Sequence, residues 1–452
     1  MRKLLIANRG EIAVRVARTA RAMGIATVAV CSEADRDSLA ARSADESVVI
    51  GQAPARASYL NQDAILDAAR GTGADAVHPG YGFLSENAEF AGRVTAAGLT
   101  WVGPDPAAIR LMGDKVAALR AARAAGVPVL AGSGSPLPGE LDAALDVARA
   151  VGFPVMIKAA AGGGGRGIRV VRAPDEFGAA LDLARSEAKS GFGDDTVYLE
   201  RFVERARHVE VQVLGDGERF VHLGDRDCTM QRRSQKVLEE APAPDLPDAV
   251  RARIRESSVE LARACHYTGV GTVEFLYDPA RGEAAFIEMN TRLQVEHPVT
   301  ELITGLDLVE WQLRIAEGER LSLTQPDVGF TGHAIECRIN AEDPARGFFP
   351  SPGTITRLTW PDGPGVRVDT GFDEGAVVPP FYDSLVAKLV VHAPDRPAAI
   401  RRMDDALARL AVAGISTTVP LHQALLASPE LASVRHSTTF IEDTAELLEV
   451  RT

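Results

Sequence analysis

The sequence predicts a multidomain protein of α/β and α+β class, and three observations carry that expectation. Residues 1–113 alternate short apolar runs with amphipathic stretches, the pattern of a parallel sheet joined by crossover helices. Two strand-like runs, VMIKA and IRVVR, flank the glycine run GGGGRG at 162–167 and read as a long hairpin. From about residue 331 strand-like alternation dominates, ahead of a closing helix. A chain of 452 residues is too long for one core and leads to about three domains.

Each element follows from local chemistry. KLLIA near the N-terminus is a buried strand, and Gly10 opens a helix with Ile12, Val16 and Met23 on its apolar side. TVAV is a second strand, SEADRDS a loop, and AVHPG and LTWVGP are two more strand-to-loop transitions. A dinucleotide fold is excluded because the first turn holds one glycine and no GxGxxG, so Asp35 reads as a capping or loop residue. After Met112 a helix in GDKVAALRAARAAGVPVL closes at Gly126 before Pro128. GSGSPLPGE links to a further α/β unit, and APAPDLP (241–247) and SPG (351–353) mark loops. RPAAIRRMDDALARLAVAG reads as a helix, followed by a last short helical piece. The domain boundaries expected are 1–113, 114–330 with a lid over about 131–203, and 331–452.

Composition narrows the function. The net charge of −13 opposes a nucleic-acid partner, which calls for a basic face, while local Arg and Lys clusters still suit small anions. Only four consecutive apolar residues occur in MRKLLIANRG, too few for a secretory segment. No apolar run approaches the roughly 20 residues of a membrane span. Cys31, Cys228, Cys265 and Cys337 have no metal-type spacing. A cytoplasmic protein without membrane or nucleic-acid contacts is expected.

The chemistry concentrates in EMNTRLQVEHP, residues 288–298. Glu288, Asn290, Arg292, Gln294 and Glu296 occupy every second position, so in an extended chain they line one wall. Carboxylate and amide oxygens suit Mg²⁺ beside phosphates, and Arg grips a carboxylate-like anion; alternation alone also fits a solvated strand face. VEFLY, a turn at DPARGE and AAFIEMN form a hairpin that brings Glu274 beside Glu288, a pair that repels unless a cation lies between. Two surface glutamates are the alternative. Gln231, Arg232, Arg233 and Lys236 in QRRSQK form a basic patch able to collect phosphate or bicarbonate oxygens, or a solvated loop. The glycines Gly163, Gly164, Gly165 and Gly167 let backbone amides approach phosphate, although a flexible linker has the same composition. In HAIECRINAEDP, Ile335, Cys337 and Ile339 face one way and Glu336, Arg338 and Asn340 the other.

In order along the chain, ANRGEI, HPGYGFLSEN, MGDK, GGGGRG, QRR-QK, EMNTRLQVEHPVTE and FFPSPG resemble the biotin carboxylases of the ATP-grasp superfamily, over essentially the whole chain. The resemblance implies a pre-ATP-grasp parallel α/β domain, an ATP-grasp domain with a mobile glycine-rich lid, and a C-terminal mixed α+β domain. It implies ATP- and Mg- (or Mn-) dependent carboxylation of biotin by bicarbonate through carboxyphosphate. Lys115, Lys158 and the lid glycines would serve the ATP phosphates, Glu200, Arg201 and Val203 the adenine, and His208 and Gln231 the ribose and phosphates. Glu274, Glu288 and Asn290 would hold the metal. Glu296 would be the general base; Arg292, Gln294 and the Val295 backbone would position bicarbonate. Lys236 would act on phosphate and Arg338 on the ureido oxyanion of biotin. Ser234 departs from the family, which usually has histidine there. No Met-Lys-Met biotinylation segment occurs, so biotin would come from another chain, or this chain is one part of a longer polypeptide; the resemblance implies a biotin carboxyl carrier protein and a carboxyltransferase subunit as partners in an enzyme such as acetyl-CoA carboxylase. A homodimer is expected from family habit. Two other readings share the residues: an ATP-grasp enzyme with a non-biotin acceptor, and a regulatory ATP-binding subunit suggested by Ser234.

Overall fold

A computed structural model describes residues 1–159, 168–192 and 194–444. The chain forms two compact units, residues 128–206 and the remainder. In the larger unit the N-terminal strands β1 (Lys3–Ile6), β2 (Ala26–Cys31), β3 (Glu46–Val49), β4 (Ala76–His78) and β5 (Thr100–Trp101) form a parallel sheet in the order β3-β2-β1-β4-β5. Leu4, Leu5 and Ile6 of the central strand are inaccessible to solvent, as expected of a parallel strand covered on both faces. Helix α1 (Gly10–Ala22) follows β1 directly. Asp35 takes two hydrogen bonds from Arg9 (2.7 and 3.0 Å) and one from the Tyr59 hydroxyl (2.6 Å), a structural ion pair.

The smaller unit carries β6 (Val155–Ala159), β7 (Ile168–Val171) and β8 (Val197–Arg201), antiparallel in the order β7-β6-β8. Lys158 stands opposite Ile168 across the predicted hairpin. The glycine run, with Gly163, Gly164, Gly165 and Gly167, lies outside the described residues.

The larger unit also holds an eight-stranded antiparallel sheet. Its strands are β9 (Arg207–Asp216), β10 (Phe220–Arg232), β11 (Gln235–Ala241), β12 (Thr268–Asp278), β13 (Glu283–Asn290) and β14 (His333–Asn340), with Leu385–Ala393 and Val366–Thr370 beyond. The order is β13-β12-β9-β10-β11-β14, then those two. Ile335, Cys337 and Ile339 enter an apolar core with Leu389, Met403 and Leu407, which assigns Cys337 to the core as its alternation predicts.

Two expectations are corrected. The helix read over RPAAIRRMDDALARLAVAG ends at Arg409; Ala411–Ala413 is instead a strand paired with Arg357–Thr359, and the helix Val419–Ala427 follows. The extended wall over 288–296 ends at Asn290, and residues 291–296 run through turns into the helix His297–Thr304. Pro298 in the first helical turn favours that start, and Gly305, at a φ of 73°, closes the helix in the left-handed region.

Candidate active site

The sheet lays charge in a straight row. Glu288, Glu274, Glu210 and Arg226 are direct partners across β13, β12, β9 and β10. Like charges directly opposite one another destabilise a sheet, so three adjacent carboxylates require cations. Arg226, wholly buried, donates to Glu210 (2.5 Å), Gln212 (2.7 Å), Thr300 (2.9 Å) and Thr272 (3.1 Å). Lys236 stands over the row, with its ammonium on Glu210 (2.6 Å), Glu274 (3.0 Å) and Glu296 (2.6 Å). One residue of β13, Ile287, bulges beside Glu274, the kind of irregularity that re-aims side chains at sites.

The turn after β13 folds back onto this row. Arg292 donates to Asn290 Oδ1 (2.9 Å), Gln294 Oε1 (2.7 Å) and Glu86 (2.8 Å). The Gln294 and Asn290 amides both donate to Glu274 Oε1, at 3.1 and 3.0 Å. The predicted set therefore converges by a turn rather than by strand alternation. Glu296, with no solvent exposure, takes Lys236 on one oxygen and Arg338 (2.9 Å) on the other. Arg338 also donates to Glu239 (2.6 Å).

Electrostatics follow from this geometry. Burial alone would push the Glu296 carboxyl up, but Lys236, Arg338 and Arg226 outweigh it and hold the group well below the carboxylate range. Glu274 is likewise depressed, since burial is overcome by Lys236 and His208. Burial and the Glu274 charge push Glu288 up. Glu239, buried beside Arg338 and Glu296, is pushed up to about 7. Glu336, its direct partner on β14, is raised well above the usual range by burial, and among the described residues neither of its oxygens has a hydrogen-bond partner.

The remaining predicted residues divide. His208 Nε2 lies 3.1 Å from Glu274, and its Nδ1 is 2.9 Å from the Gln231 amide. Those two thus sit beside the acidic row. Arg232 stacks over Phe348 (3.9 Å), and Arg233 and Ser234 form the exposed tip between β10 and β11 with positive φ, so the basic patch is not one surface. Lys115 begins a helix, and its charge reaches Glu288. In the smaller unit Lys158 pairs with Glu200. The amides of Arg201 and Phe202 bond the carbonyls of Ala131 (2.8 Å) and Pro154 (2.9 Å), and the Val203 side chain is buried. Sequence reasoning missed Glu210, Arg226, Glu239 and Glu86; only the strand register could have found the first three.

Glu274, Glu288 and Asn290 offer hard oxygen donors of the type Mg²⁺ takes. The raised Glu288 carboxyl beside Glu274 is the charge conflict a divalent cation would relieve, so the residues fit such an ion.

Three family models match: "Biotin carboxylase, N-terminal domain" over residues 1–109, "Carbamoyl-phosphate synthase L chain, ATP binding domain" over 114–324, and "Biotin carboxylase C-terminal domain" over 336–443. A biotin carboxylase of Nostoc sp. is 51% identical over 442 residues, covering 98% of both chains. One of Pseudomonas aeruginosa is 54% identical over 427 residues, 94% of each. A solved dimer of the biotin carboxylase domain of Hydrogenobacter thermophilus 2-oxoglutarate carboxylase, in complex with MgADP, ADP and bicarbonate, superposes with a TM-score of 0.87. It is 44% identical and matches 100% of this chain and 99% of its own.

Proposed function

The chain belongs to the biotin carboxylases, ATP-dependent ligases that carboxylate biotin from bicarbonate, and from that premise we propose how its buried charge cluster does the work. The observation that carries the reading is Glu296, a solvent-free carboxylate gripped by one ammonium and one guanidinium. As it stands this carboxylate is a poor proton acceptor, because its partners hold it depressed. Substrates change that balance. Phosphate oxygens of ATP compete for Lys236, and an anionic substrate oxygen competes for Arg338. With both cations drawn off, only the buried Arg226 still offsets the effect of burial on Glu296, and its basicity rises. Glu296 then takes the bicarbonate proton as general base.

Bicarbonate is held by Arg292, Gln294 and the Val295 backbone and attacks the γ-phosphate, giving carboxyphosphate and ADP. Catalysis there is mostly orientation and charge neutralisation. Carboxyphosphate releases CO₂ and phosphate, phosphate takes the ureido proton of biotin, and Arg338 stabilises the developing ureido oxyanion. Glu274, Glu288 and Asn290 would hold Mg²⁺ or Mn²⁺, which when bound supplies neutralisation of phosphate charge. We assign nucleotide-binding roles to Lys115, His208 and Gln231 in the larger unit and to Lys158 and the segment Glu200–Val203 in the smaller one; Gly163, Gly164, Gly165 and Gly167, expected to serve the phosphates, lie outside the described residues.

At the level of assembly we propose a cytoplasmic homodimer serving a biotin carboxyl carrier protein and a carboxyltransferase, within an acyl-CoA carboxylase such as acetyl-CoA carboxylase. Three domains, 1–113, 114–330 with a lid over about 131–203, and 331–452, organise it. ADP release with bicarbonate and Mg²⁺, with and without free biotin, on wild type and Ser234→His, tests the reading. Biotin-stimulated release in the wild type supports it; release only in the histidine variant would favour a regulatory subunit.

A further inference from the structure

Behind the catalytic turn lies a buried cation that the chemistry above does not use. Lys388, on the strand Leu385–Ala393, has a side chain with no solvent exposure. Its ammonium donates to the Val295 carbonyl (3.0 Å) and pairs with Glu11 Oε1 (3.0 Å) at the start of α1. Glu11 also accepts from the Tyr81 hydroxyl. The chain passes so close there that a Cβ at Gly371 would stand 2.6 Å from the Glu11 amide. Lys388 is therefore anchored by α1 and by its own strand, where it stands directly opposite Arg338.

The neighbouring carbonyl is held as well. His297 Nδ1 lies 2.7 Å from the Gln294 carbonyl, which can only accept, so that nitrogen carries the proton. Burial holds the imidazole well below its usual range, with Lys388 and Arg15 adding to the effect, so the ring is neutral. Two consecutive carbonyls, of Gln294 and Val295, are thus each held by a buried side chain. Because the peptide unit is planar and trans, fixing the Val295 carbonyl also fixes the direction of the Glu296 amide. Gln294 and Glu296, whose side chains enter the charge cluster, flank the pinned carbonyl.

We propose that Lys388 is a positioning residue for bicarbonate: it sets the backbone of Gln294–Glu296 through the Val295 carbonyl, while Glu11 anchors it. The inference rests on the reading of that turn as the bicarbonate site. A misplaced turn costs oriented binding and attack, for which an ångström-scale shift carries large penalties. ATP contacts made elsewhere are left intact.

The test compares Lys388→Met, the double variant Glu11→Gln with Lys388→Met, and Glu11→Gln, by steady-state kinetics and thermal melting. Breaking a buried pair on one side is destabilising, whereas replacing both charges is often tolerated, so the double variant reports function on a stable fold. The expected result is a KM for bicarbonate raised about tenfold to a hundredfold in both Lys388 variants, with the KM for ATP nearly unchanged. Glu11→Gln, which keeps the ammonium on Val295, should shift the melting temperature more than the bicarbonate KM. A double variant that melts like wild type and has a wild-type KM for bicarbonate would overturn the proposal, leaving Lys388 a structural ion pair. Wild-type turnover that does not depend on bicarbonate would instead remove the underlying reading of the turn, and the proposal with it.

Discussion

Replacing Glu296 by glutamine isolates the proton-accepting role from the structural one. The amide keeps the size of the side chain and one acceptor oxygen, but it cannot take a proton and turns a donor toward either Lys236 or Arg338. Neither cation is orphaned: Lys236 keeps Glu210 (2.6 Å) and Glu274 (3.0 Å), and Arg338 keeps Glu239 (2.6 Å). The folding cost should therefore be that of one weakened charged hydrogen bond, about 1–2 kcal/mol. Losing a general base typically costs about 10²–10⁴ in rate, or roughly 3–5 kcal/mol of barrier. Biotin-dependent ADP release measures the rate, calorimetric titration measures nucleotide binding, and a thermal melt bounds the structural effect. Folded, ATP-binding protein with turnover within about tenfold of wild type would refute the base assignment.

Other predictions probe the surrounding charges. Lys236→Met leaves Glu210, Glu274 and Glu296 without their shared cation; a loss of about 3–5 kcal/mol at neutral pH should shrink as pH falls and the carboxylates take up protons. Equal melting shifts at pH 5.5 and pH 8 would contradict this. Glu239, raised to about 7 from its ordinary 4.5, binds a proton in the folded state that the unfolded chain has lost. Its contribution to stability is therefore lost as pH rises through that window. Glu336, also raised, acts with the same sign. Glu239→Gln and Glu336→Gln should each flatten the fall in melting temperature with rising pH, and slopes identical to wild type would argue against buried protonated carboxyls. Because burial and Glu274 raise Glu288, Mg²⁺ must displace a proton at low pH. The apparent Mg²⁺ requirement should rise as pH falls, and Glu288→Gln should weaken the requirement's pH dependence; an unchanged profile would count against Glu288 as a ligand.

The parts of this account that follow one strand at a time were legible in the sequence. The β1-to-α1 unit, the hairpin that opposes Glu274 to Glu288, and the two-faced alternation of Ile335–Asn340 depend on local periodicity, which the chain carries openly. Residues 291–296 form a turn where the alternation predicts a strand, because alternating polar residues fit both an extended wall and a turn whose side chains converge. Pro298 is the local signal that a helix starts there. Glu210, Arg226 and Glu239 became visible only with the register of β9, β10, β11 and β14, since nothing near them in sequence marks a buried charge. Lys388 was equally hidden: in FYDSLVAKL it reads as one polar residue in an apolar strand, and its partners lie at positions 11 and 295.

The measurement that bears most directly on the central claim follows isotopically labelled bicarbonate into biotin while counting ADP. With Mg²⁺ and ATP, wild-type protein should form carboxybiotin and ADP in equal amounts, and Glu296→Gln should lose both together. ADP formed without label in biotin would contradict the account.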